Sequence, residues 1–148
     1  MLATIGDILQ SKGAAVQTTR STDTLTTAVN QMAEQNIGAL PVVDNDRLVG
    51  ILSERDVLTR VVNHRLNPDA AKVAEVMSPN PISVQPGMRV FEAMQMMSEK
   101  RFRHLPIIEG GRLIGMVSMG DITARIIADQ DDSLNRMIMA VKAMRPAG

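Results

Sequence analysis

The chain contains an internal repeat, and this repeat constrains its fold more than any other feature. A shift of 65 residues aligns Leu40-Pro41-Val42-Val43 with Leu105-Pro106-Ile107-Ile108 without a gap. In that register the match spans residues 16–62 and 81–127. Because a repeat of this length is the signature of a duplicated structural unit, we expect two equivalent units.

Each copy shows the same succession of apolar patterns. Spacing of i, i+3, i+4 and i+7 predicts an amphipathic helix in both copies, through Leu25, Ala28, Val29 and Met32 and through Val90, Ala93, Met94 and Met97. Two apolar runs joined by Asp44-Asn45-Asp46 or Glu109-Gly110-Gly111 then predict a β-hairpin. A second helix follows over 54–62 and 119–127, and a short strand candidate precedes the first helix over 16–19 and 82–84. The predicted order is β-α-β-β-α per copy, in an α/β (α+β) fold class.

These patterns divide the chain into five segments. They are an N-terminal lead-in helix over 1–15, the first repeat over 16–62, a linker and lead-in turn over 63–80, the second repeat over 81–127, and a C-terminal helix and tail over 128–148. Residues 5–9 resemble 73–77, so each predicts a short helical turn that leads into the following copy.

An additional helix is predicted near the C-terminus. After an acidic break over 129–132, helical spacing returns through Leu134, Met137, Ile138 and Val141. This helix packs either within the chain or against a second subunit, and the sequence does not choose between the two.

Composition excludes several classes of protein. The 148 residues include sixteen Lys plus Arg and sixteen Asp plus Glu, so a nucleic-acid partner is not expected. There is no cysteine and there are two histidines, which argues against disulfides, thiol nucleophiles and metal sites. No apolar run approaches the roughly 20 residues that span a bilayer, and the N-terminus lacks a signal-peptide pattern. We therefore expect a cytoplasmic protein without a membrane partner.

The strongest local signal is a Ser-x-x-Asp motif at the end of each hairpin, from Ser53 to Asp56 and from Ser118 to Asp121. One interpretation is a capping box, in which Ser caps the next helix and Asp bonds back to the Ser amide. The other is a ligand site, because Asp accepts hydrogen bonds from ribose hydroxyls and amides at a helix start bind phosphate. The two interpretations are partly compatible.

The residues before the first strand of each hairpin differ between the copies. Arg103-His104 in the second copy corresponds to Gly38-Ala39 in the first. Small residues let a planar base approach the backbone, whereas Arg and His donate to phosphate oxygens. The alternatives are that Arg103 is a solvated surface charge and that His104 is a hydrogen-bonded, half-buried strand residue.

Motifs of the common catalytic and phosphate-binding sites are missing from the sequence. It contains no GxGxxG after a strand, no GxxxxGK[ST], no HExxH and no GxSxG. No Ser has an adjacent His and acid. We expect no catalytic residue, no bound metal and no enzyme activity.

With these features the chain resembles the tandem CBS domain, or Bateman module. The second copy matches from Glu75-Val76-Met77-Ser78-Pro79 to Ser118-x-x-Asp121. The first copy matches over 37–43 and 53–56 but departs at Ser11-Lys12-Gly13-Ala14-Ala15-Val16. The chain is similar to stand-alone bacterial proteins with one CBS pair. The resemblance implies two pseudo-symmetric β-α-β-β-α CBS repeats packed as one Bateman module.

The resemblance also implies two clefts between the copies, each holding an adenosine-containing ligand such as AMP, ADP, ATP, NAD or S-adenosylmethionine, with Mg²⁺ beside triphosphates. It implies no catalytic cofactor. The first cleft is formed by Ser53, Glu54, Arg55, Asp56, Ser78, Pro81, Ile82, Arg103 and His104. The second is formed by Gln17, Ile37, Gly38, Ala39, Pro41, Ser118, Met119, Gly120 and Asp121. The first cleft carries more positive charge, so we expect it to bind phosphates better.

A regulatory adenine-nucleotide sensor is the function that we expect. Ligand binding ties the copies together and shifts a homodimer between arrangements that a partner protein reads. The alternative is a structural or interaction subunit with vestigial clefts, which binds a protein through the helix over 133–143. The presence of Asp56 and Asp121 favours the sensor.

Overall fold

A computed structural model describes residues 2–13 and 15–144. In this part of the chain helices cover Ile5–Lys12 (α1), Leu25–Gln35 (α2), Glu54–Asp56 (α3), Val73–Val76 (α4), Val90–Lys100 (α5) and Met119–Met144 (α6). Strands cover Ala39–Asp44 (β1), Arg47–Ser53 (β2), Ser78–Pro79 (β3), His104–Glu109 (β4) and Arg112–Ser118 (β5). Helix α3 continues into a π-helical segment, Val57–Val62. Residues 1, 14 and 145–148, which belong to the expected N-terminal segment and C-terminal tail, lie outside the described part.

The two hairpins have the same register, as the internal repeat predicts. Ala39 lies opposite Ser53 in the first hairpin, and His104 lies opposite Ser118 in the second. Both hairpins shift register at the equivalent point, which in the first is Val42. Each Ser-x-x-Asp motif therefore begins beside the first residue of its hairpin.

The strand expected before the first helix of each copy is reduced to a single bridge. Thr19 pairs with β1 and Val84 pairs with β4, both in parallel. Thr19 donates to the Pro41 carbonyl oxygen at 3.1 Å and accepts from the Val43 N–H at 2.8 Å, which fixes one residue rather than a strand. Strand β3, which the sequence patterns did not indicate, pairs antiparallel with β2.

Helices α2 and α5 bury the faces that their spacing predicts. The fully buried positions are Leu25 and Ala28 in α2 and Val90 and Ala93 in α5. Both helices end at a residue in the left-handed conformation, which stops the helix and turns the chain towards the hairpin. Burial of one face on the hairpin, rather than helix propensity alone, stabilises such short helices.

The two lead-in helices are exchanged between the copies. Helix α1 precedes the first copy, yet Ile5 and Ile8 lie in the apolar core of the second copy. Helix α4 precedes the second copy, yet Val73 and Val76 lie in the core of the first. The sequence order suggested that each turn leads into the copy that follows it, but packing follows the opposite assignment. Each core therefore contains a helix that directly precedes the other copy in the sequence.

Glycine in the second strand of each hairpin makes room for the exchanged helix. A Cβ atom on Gly115 would lie 2.5 Å from Leu9 Cδ1 of α1. A Cβ atom on Gly50 would lie 2.5 Å from Met77 Sδ and 3.0 Å from the Ser78 carbonyl oxygen. The two distances of 2.5 Å are shorter than real Cβ contacts, so each lead-in approaches its strand closely because the strand has no side chain there.

Helix α6 is longer than the sequence pattern predicts. The expected break over 129–132 is absent, and the helix runs without interruption for 26 residues. Arg125 Nε lies 3.2 Å from Asp129 Oδ1 at i,i+4 spacing, and such pairs stabilise a helix through a polar stretch. From residue 130 to residue 144 every side chain is exposed. No helix in the described part of the chain has both the length and the apolar character needed to cross a membrane.

Candidate functional site

Both Ser-x-x-Asp motifs form capping boxes. Ser53 Oγ accepts from the Asp56 N–H at 3.2 Å, and Asp56 Oδ2 accepts from the Ser53 N–H at 3.0 Å. Ser118 Oγ accepts from the Asp121 N–H at 3.1 Å, and Asp121 Oδ2 accepts from the Ser118 N–H at 2.8 Å. The capping interpretation is therefore correct at the local level. Because each box fixes its carboxylate at a helix start, it also leaves that carboxylate in a position to contact a ligand.

The first turn after each box is fastened to the residue that lies before the hairpin. The Glu54 N–H donates to the Gly38 carbonyl oxygen at 2.9 Å, and the Met119 N–H donates to the Arg103 carbonyl oxygen at 2.8 Å. These contacts are equivalent under the repeat. They hold Gly38 and Arg103 beside the two helix starts and leave the Arg103 side chain exposed.

A cavity of about 180 Å³ lies between the two copies, next to the second Ser-x-x-Asp motif. Its walls include six residues that the sequence analysis assigned to the second cleft: Gln17, Ile37, Gly38, Ala39, Pro41 and Ser118. Further lining residues are Leu9 and Lys12 from the N-terminal segment, Val16 from the start of the first repeat, and His104, Gly115 and Met116 from the second hairpin. Met119, Gly120 and Asp121 are not among its lining residues, and Asp121 is connected to the cavity through Lys12.

His104 lies in this cavity rather than with the residues predicted for the first cleft. Its Cε1 atom would be 3.4 Å from a Cβ on Gly38. As the first residue of β4, His104 faces β1 of the other copy, where Gly38 and Ala39 leave space. The alternative interpretation of His104, a half-buried strand residue, describes its exposure correctly.

A second, wider cavity of about 480 Å³ lies on the other side of Gly38. Glu54, which the sequence analysis placed in the first cleft, contributes to this cavity together with residues of α2 such as Met32 and Asn36. Its Oε1 atom would be 3.2 Å from a Cβ on Gly38, so Gly38 separates the two cavities.

The structure brings together three of the residues predicted for the first cleft. Ser78 Oγ donates to Asp56 Oδ1 at 3.4 Å, and Asp56 forms the capping box with Ser53. Arg60 Nε lies 3.9 Å from the same Asp56 oxygen. The other predicted residues of this cleft are solvent-accessible to different degrees: Arg55, Ile82 and Arg103 are exposed and Pro81 is half-buried.

Lys12 was missed by the sequence analysis. Its Nζ atom donates to Asp121 Oδ2 and to the Met116 carbonyl oxygen, both at 2.8 Å. The similarity of the two lead-ins could have revealed it, because Ser78 follows α4 and contacts Asp56 in the equivalent way. A residue at the end of α1 and a residue just after α4 thus each contact the Asp of the copy on which that helix packs.

The electrostatics of the cavity follow from this pairing. Burial alone would raise the pKa of Asp121, but the hydrogen bond from Lys12, the Ser118 N–H and the Lys12 charge hold it below its usual value. Burial lowers the pKa of His104, Glu54 opposes this shift, and Arg103 and Lys12 reinforce it. His104 is therefore neutral at pH 7 and Asp121 is ionised. Among the described residues, no group of three or more His, Asp or Glu side chains is arranged to hold a metal ion.

Comparison with known proteins connects this geometry to a family. The CBS domain family model matches the chain twice, over residues 5–63 and 73–128. The chain is 34% identical over 143 residues to the mitochondrial CBS domain-containing protein CBSX3 of Arabidopsis thaliana, covering 90% of this chain and 69% of that protein. It spans only about a fifth of several longer CBS-domain relatives from the same plant.

Solved structures agree with this match. The structure of a protein with CBS domains from Burkholderia ambifaria has a TM-score of 0.82 and 40% identity, covering 86% of this chain and 96% of that one. CBSX2, solved in complex with AMP, has a TM-score of 0.72, covering 86% of this chain and 98% of that one, and at 23% identity it shares the fold. The chain therefore belongs to the CBS domain family, with two CBS repeats in tandem as a Bateman module.

Proposed function

We propose that the protein is a regulatory module that binds an adenosine-containing ligand in the cavity between its two CBS repeats. The observation that carries this proposal is the composition of the walls. One copy contributes Gly38 and Ala39, which have little or no side chain, and the other contributes Ser118. The Asp121 carboxylate lies beside these walls at a helix start, hydrogen-bonded to the lining residue Lys12. Small residues leave room for a base against the backbone, and the carboxylate accepts hydrogen bonds from ribose hydroxyls.

Apolar walls favour a flat base over other ligands. Ile37 and Pro41 of the first copy and Leu9 of α1 line the cavity. Ligand pockets are mostly apolar with a few placed polar groups, which is the composition here. The complex of CBSX2 with AMP shows that this fold accommodates an adenosine compound in that protein.

We assign the second ligand position to the region around Asp56. Ser53 and Ser78 contact this carboxylate, and Arg55 and Arg103 are exposed cations in the same predicted cleft. Two guanidinium groups favour phosphates, so this position suits ADP, ATP with Mg²⁺, or NAD better than an uncharged nucleoside.

A regulatory role requires that ligand binding changes the arrangement of a surface to which another protein binds. Asp121 lies in the first turn of α6, and this helix continues to Met144, a length of about 39 Å. A ligand that binds Asp121 and the first copy together fixes the orientation of this helix relative to the first copy. The module then acts by a shift between arrangements and not by catalysis.

The test begins with the purified protein. The chain has no Trp and no Tyr, so any carried-through adenine compound dominates the absorbance near 260 nm after denaturation. Released material identified by chromatography and mass spectrometry names the ligand, and calorimetry with AMP, ADP, ATP, NAD and S-adenosylmethionine gives affinities and stoichiometry. We expect at least one of these compounds to bind. A protein that is empty and that none of the five stabilises in a thermal shift would contradict the proposal and favour the interaction-subunit alternative.

A second candidate function, self-association through α6, is favoured by an exposed apolar seam. Heptad spacing places Ile127, Leu134 and Val141 at one core position and Met137 and Met144 at the other, and all five are 53–82% exposed. Beyond Arg125, the acidic residues Asp129, Asp131 and Asp132 are followed along the helix by the basic residues Arg136 and Lys142. An antiparallel pair places the acidic end of one helix beside the basic end of the other, so a second copy of the chain fits this seam.

Analytical ultracentrifugation tests this seam directly. We expect a dimer for the wild type and a monomer for Leu134→Glu combined with Val141→Glu. Met139→Glu is the matched control, because Met139 is 68% exposed but lies outside the seam, and it should remain dimeric. A double variant that remains dimeric would assign the dimer to another surface.

A further inference from the structure

We propose that Lys12 makes the cavity select adenosine ligands that carry a 5′-phosphate over those that are uncharged or cationic. This inference rests on the proposed function and extends it to ligand class. Lys12 binds one oxygen of the Asp121 carboxylate and lines the cavity, so a ligand whose two ribose hydroxyls both bind this carboxylate has to displace it. Once displaced, its ammonium group needs another anion, and a phosphate supplies one.

The first step of the argument is the position of Lys12. Its Nζ atom donates to Asp121 Oδ2 and to the Met116 carbonyl oxygen, each at 2.8 Å. The Lys12 side chain is 42% exposed and the Asp121 side chain 24% exposed. The ion pair therefore lies at the rim of the cavity, where Lys12 can swing outward without disturbing the core.

The second step is the size of the cavity. Its volume is about 180 Å³, whereas pockets for small molecules usually measure about 300 Å³ or more. Lys12 is one of its lining residues. Movement of this flexible side chain enlarges the cavity beside the carboxylate that a ribose would contact, so we expect ligand binding to break the ion pair.

The third step is the charge that remains after displacement. Among the described residues that line the cavity, Lys12 is the one Lys or Arg, and burial keeps His104 neutral at pH 7. A bound nucleoside breaks the Lys12–Asp121 ion pair and leaves Lys12 without an anionic partner. A bound nucleotide also breaks it, but its phosphate pairs with Lys12. A sulfonium ligand brings a further positive charge. Because hydrogen bonds between ions are stronger than those between neutral groups, the phosphate ligand is favoured.

Methionine NMR measures ligand binding in this cavity separately from binding at the position around Asp56. Met116 lines the cavity, so its ¹³C-methyl signal, assigned with Met116→Leu, reports occupancy there alone. We would titrate AMP, adenosine and 5′-methylthioadenosine into the wild type, Lys12→Gln and Lys12→Arg, with Lys100→Gln as a control lysine exposed on α5. The spectrum of each variant without ligand also shows whether it is folded.

In Lys12→Gln we expect the Kd for AMP to rise about tenfold or more relative to that for adenosine. Lys12→Arg and Lys100→Gln should keep the wild-type preference. An unchanged ratio of AMP to adenosine affinity in Lys12→Gln would overturn the inference. This holds if both ligands bind more tightly, because the Lys12 side chain no longer fills part of the cavity. It holds equally if both bind more weakly, because the cavity is distorted. A wild type whose Met116 signal responds to none of the three compounds would instead overturn ligand binding in this cavity, and the inference with it.

Discussion

The Ile5 N–H donates to the Met88 carbonyl oxygen at 2.8 Å, which fastens the N-terminal helix to the second copy of the repeat. The equivalent bond in the first copy joins the Val73 N–H to the Asp23 carbonyl oxygen at 2.9 Å. Each copy therefore completes its core with a helix that belongs, by sequence order, to the other. Neither copy can separate from the other without losing part of its own core.

Truncation of a lead-in should destabilise the copy on which it packs. Ile5 and Val73 are both fully buried. We expect Ile5→Ala to cost about 2–5 kcal/mol of unfolding free energy and Val73→Ala less, because it removes fewer carbons. Native-state hydrogen exchange should show lost protection in α5, β4 and β5 for Ile5→Ala, and in α2, β1 and β2 for Val73→Ala. The opposite pattern would mean that each lead-in packs on its adjacent copy.

The two hairpin glycines should differ in their tolerance of a methyl group. At Gly115 the added Cβ clashes with the end of the Leu9 side chain and makes an ordinary contact with Ile107, whereas at Gly50 it clashes with Met77 and also approaches the Ser78 carbonyl oxygen of β3. Gly115→Ala should therefore cost about 1–3 kcal/mol and Gly50→Ala more, measured by urea denaturation. In a Leu9→Ala background the cost of Gly115→Ala should shrink, because the contacting atoms are gone. An equal cost in both backgrounds would contradict this packing.

The two motif carboxylates should each control one ligand position. We expect Asp56→Ala and Asp121→Ala each to halve the binding stoichiometry in calorimetry, because each removes the acceptor for one ribose. Thr24→Ala is the control, since it weakens the cap of α2 by about 1 kcal/mol and keeps both motif carboxylates. If both Asp variants bind with wild-type stoichiometry, the motif acts only as a capping box.

His104 should make the stability of the protein pH-dependent. Burial lowers its pKa in the folded state, whereas the unfolded chain has a value of about 6.5. The unfolded state then binds a proton first, so the stability provided by neutral His104 is present above about pH 6.5 and is lost as the pH falls below it. Unfolding free energies at pH 7.5 and 5.5 should fall less for His104→Gln than for the wild type. His64→Gln, which removes the other histidine, controls for the unfolded chain, and equal falls in the wild type and His104→Gln would contradict the prediction.

The sequence predicted the local elements well, and six of the residues it assigned to the second cleft line the cavity between the copies. Helical spacing located α2 and α5, turn residues located both hairpins, and the Ser-x-x-Asp motifs form the capping boxes. The sequence predicted a break in α6 because three aspartates disfavour a helix locally. This prediction was wrong, and the Arg125–Asp129 pair supports the helix there. The leading strands are single bridges because so short an extended segment pairs at one residue only.

The sequence by itself determined the duplication, the two hairpins and the first helix of each copy. All of these depend on interactions between residues that are close along the chain. The tertiary structure decided which lead-in completes which core, that His104 faces Gly38, and that Lys12 binds Asp121. The two lead-ins carry the same apolar pattern, so either copy could bury either one. Only the assembled packing of the two copies distinguishes them, and that packing places the Lys12 charge at the candidate site.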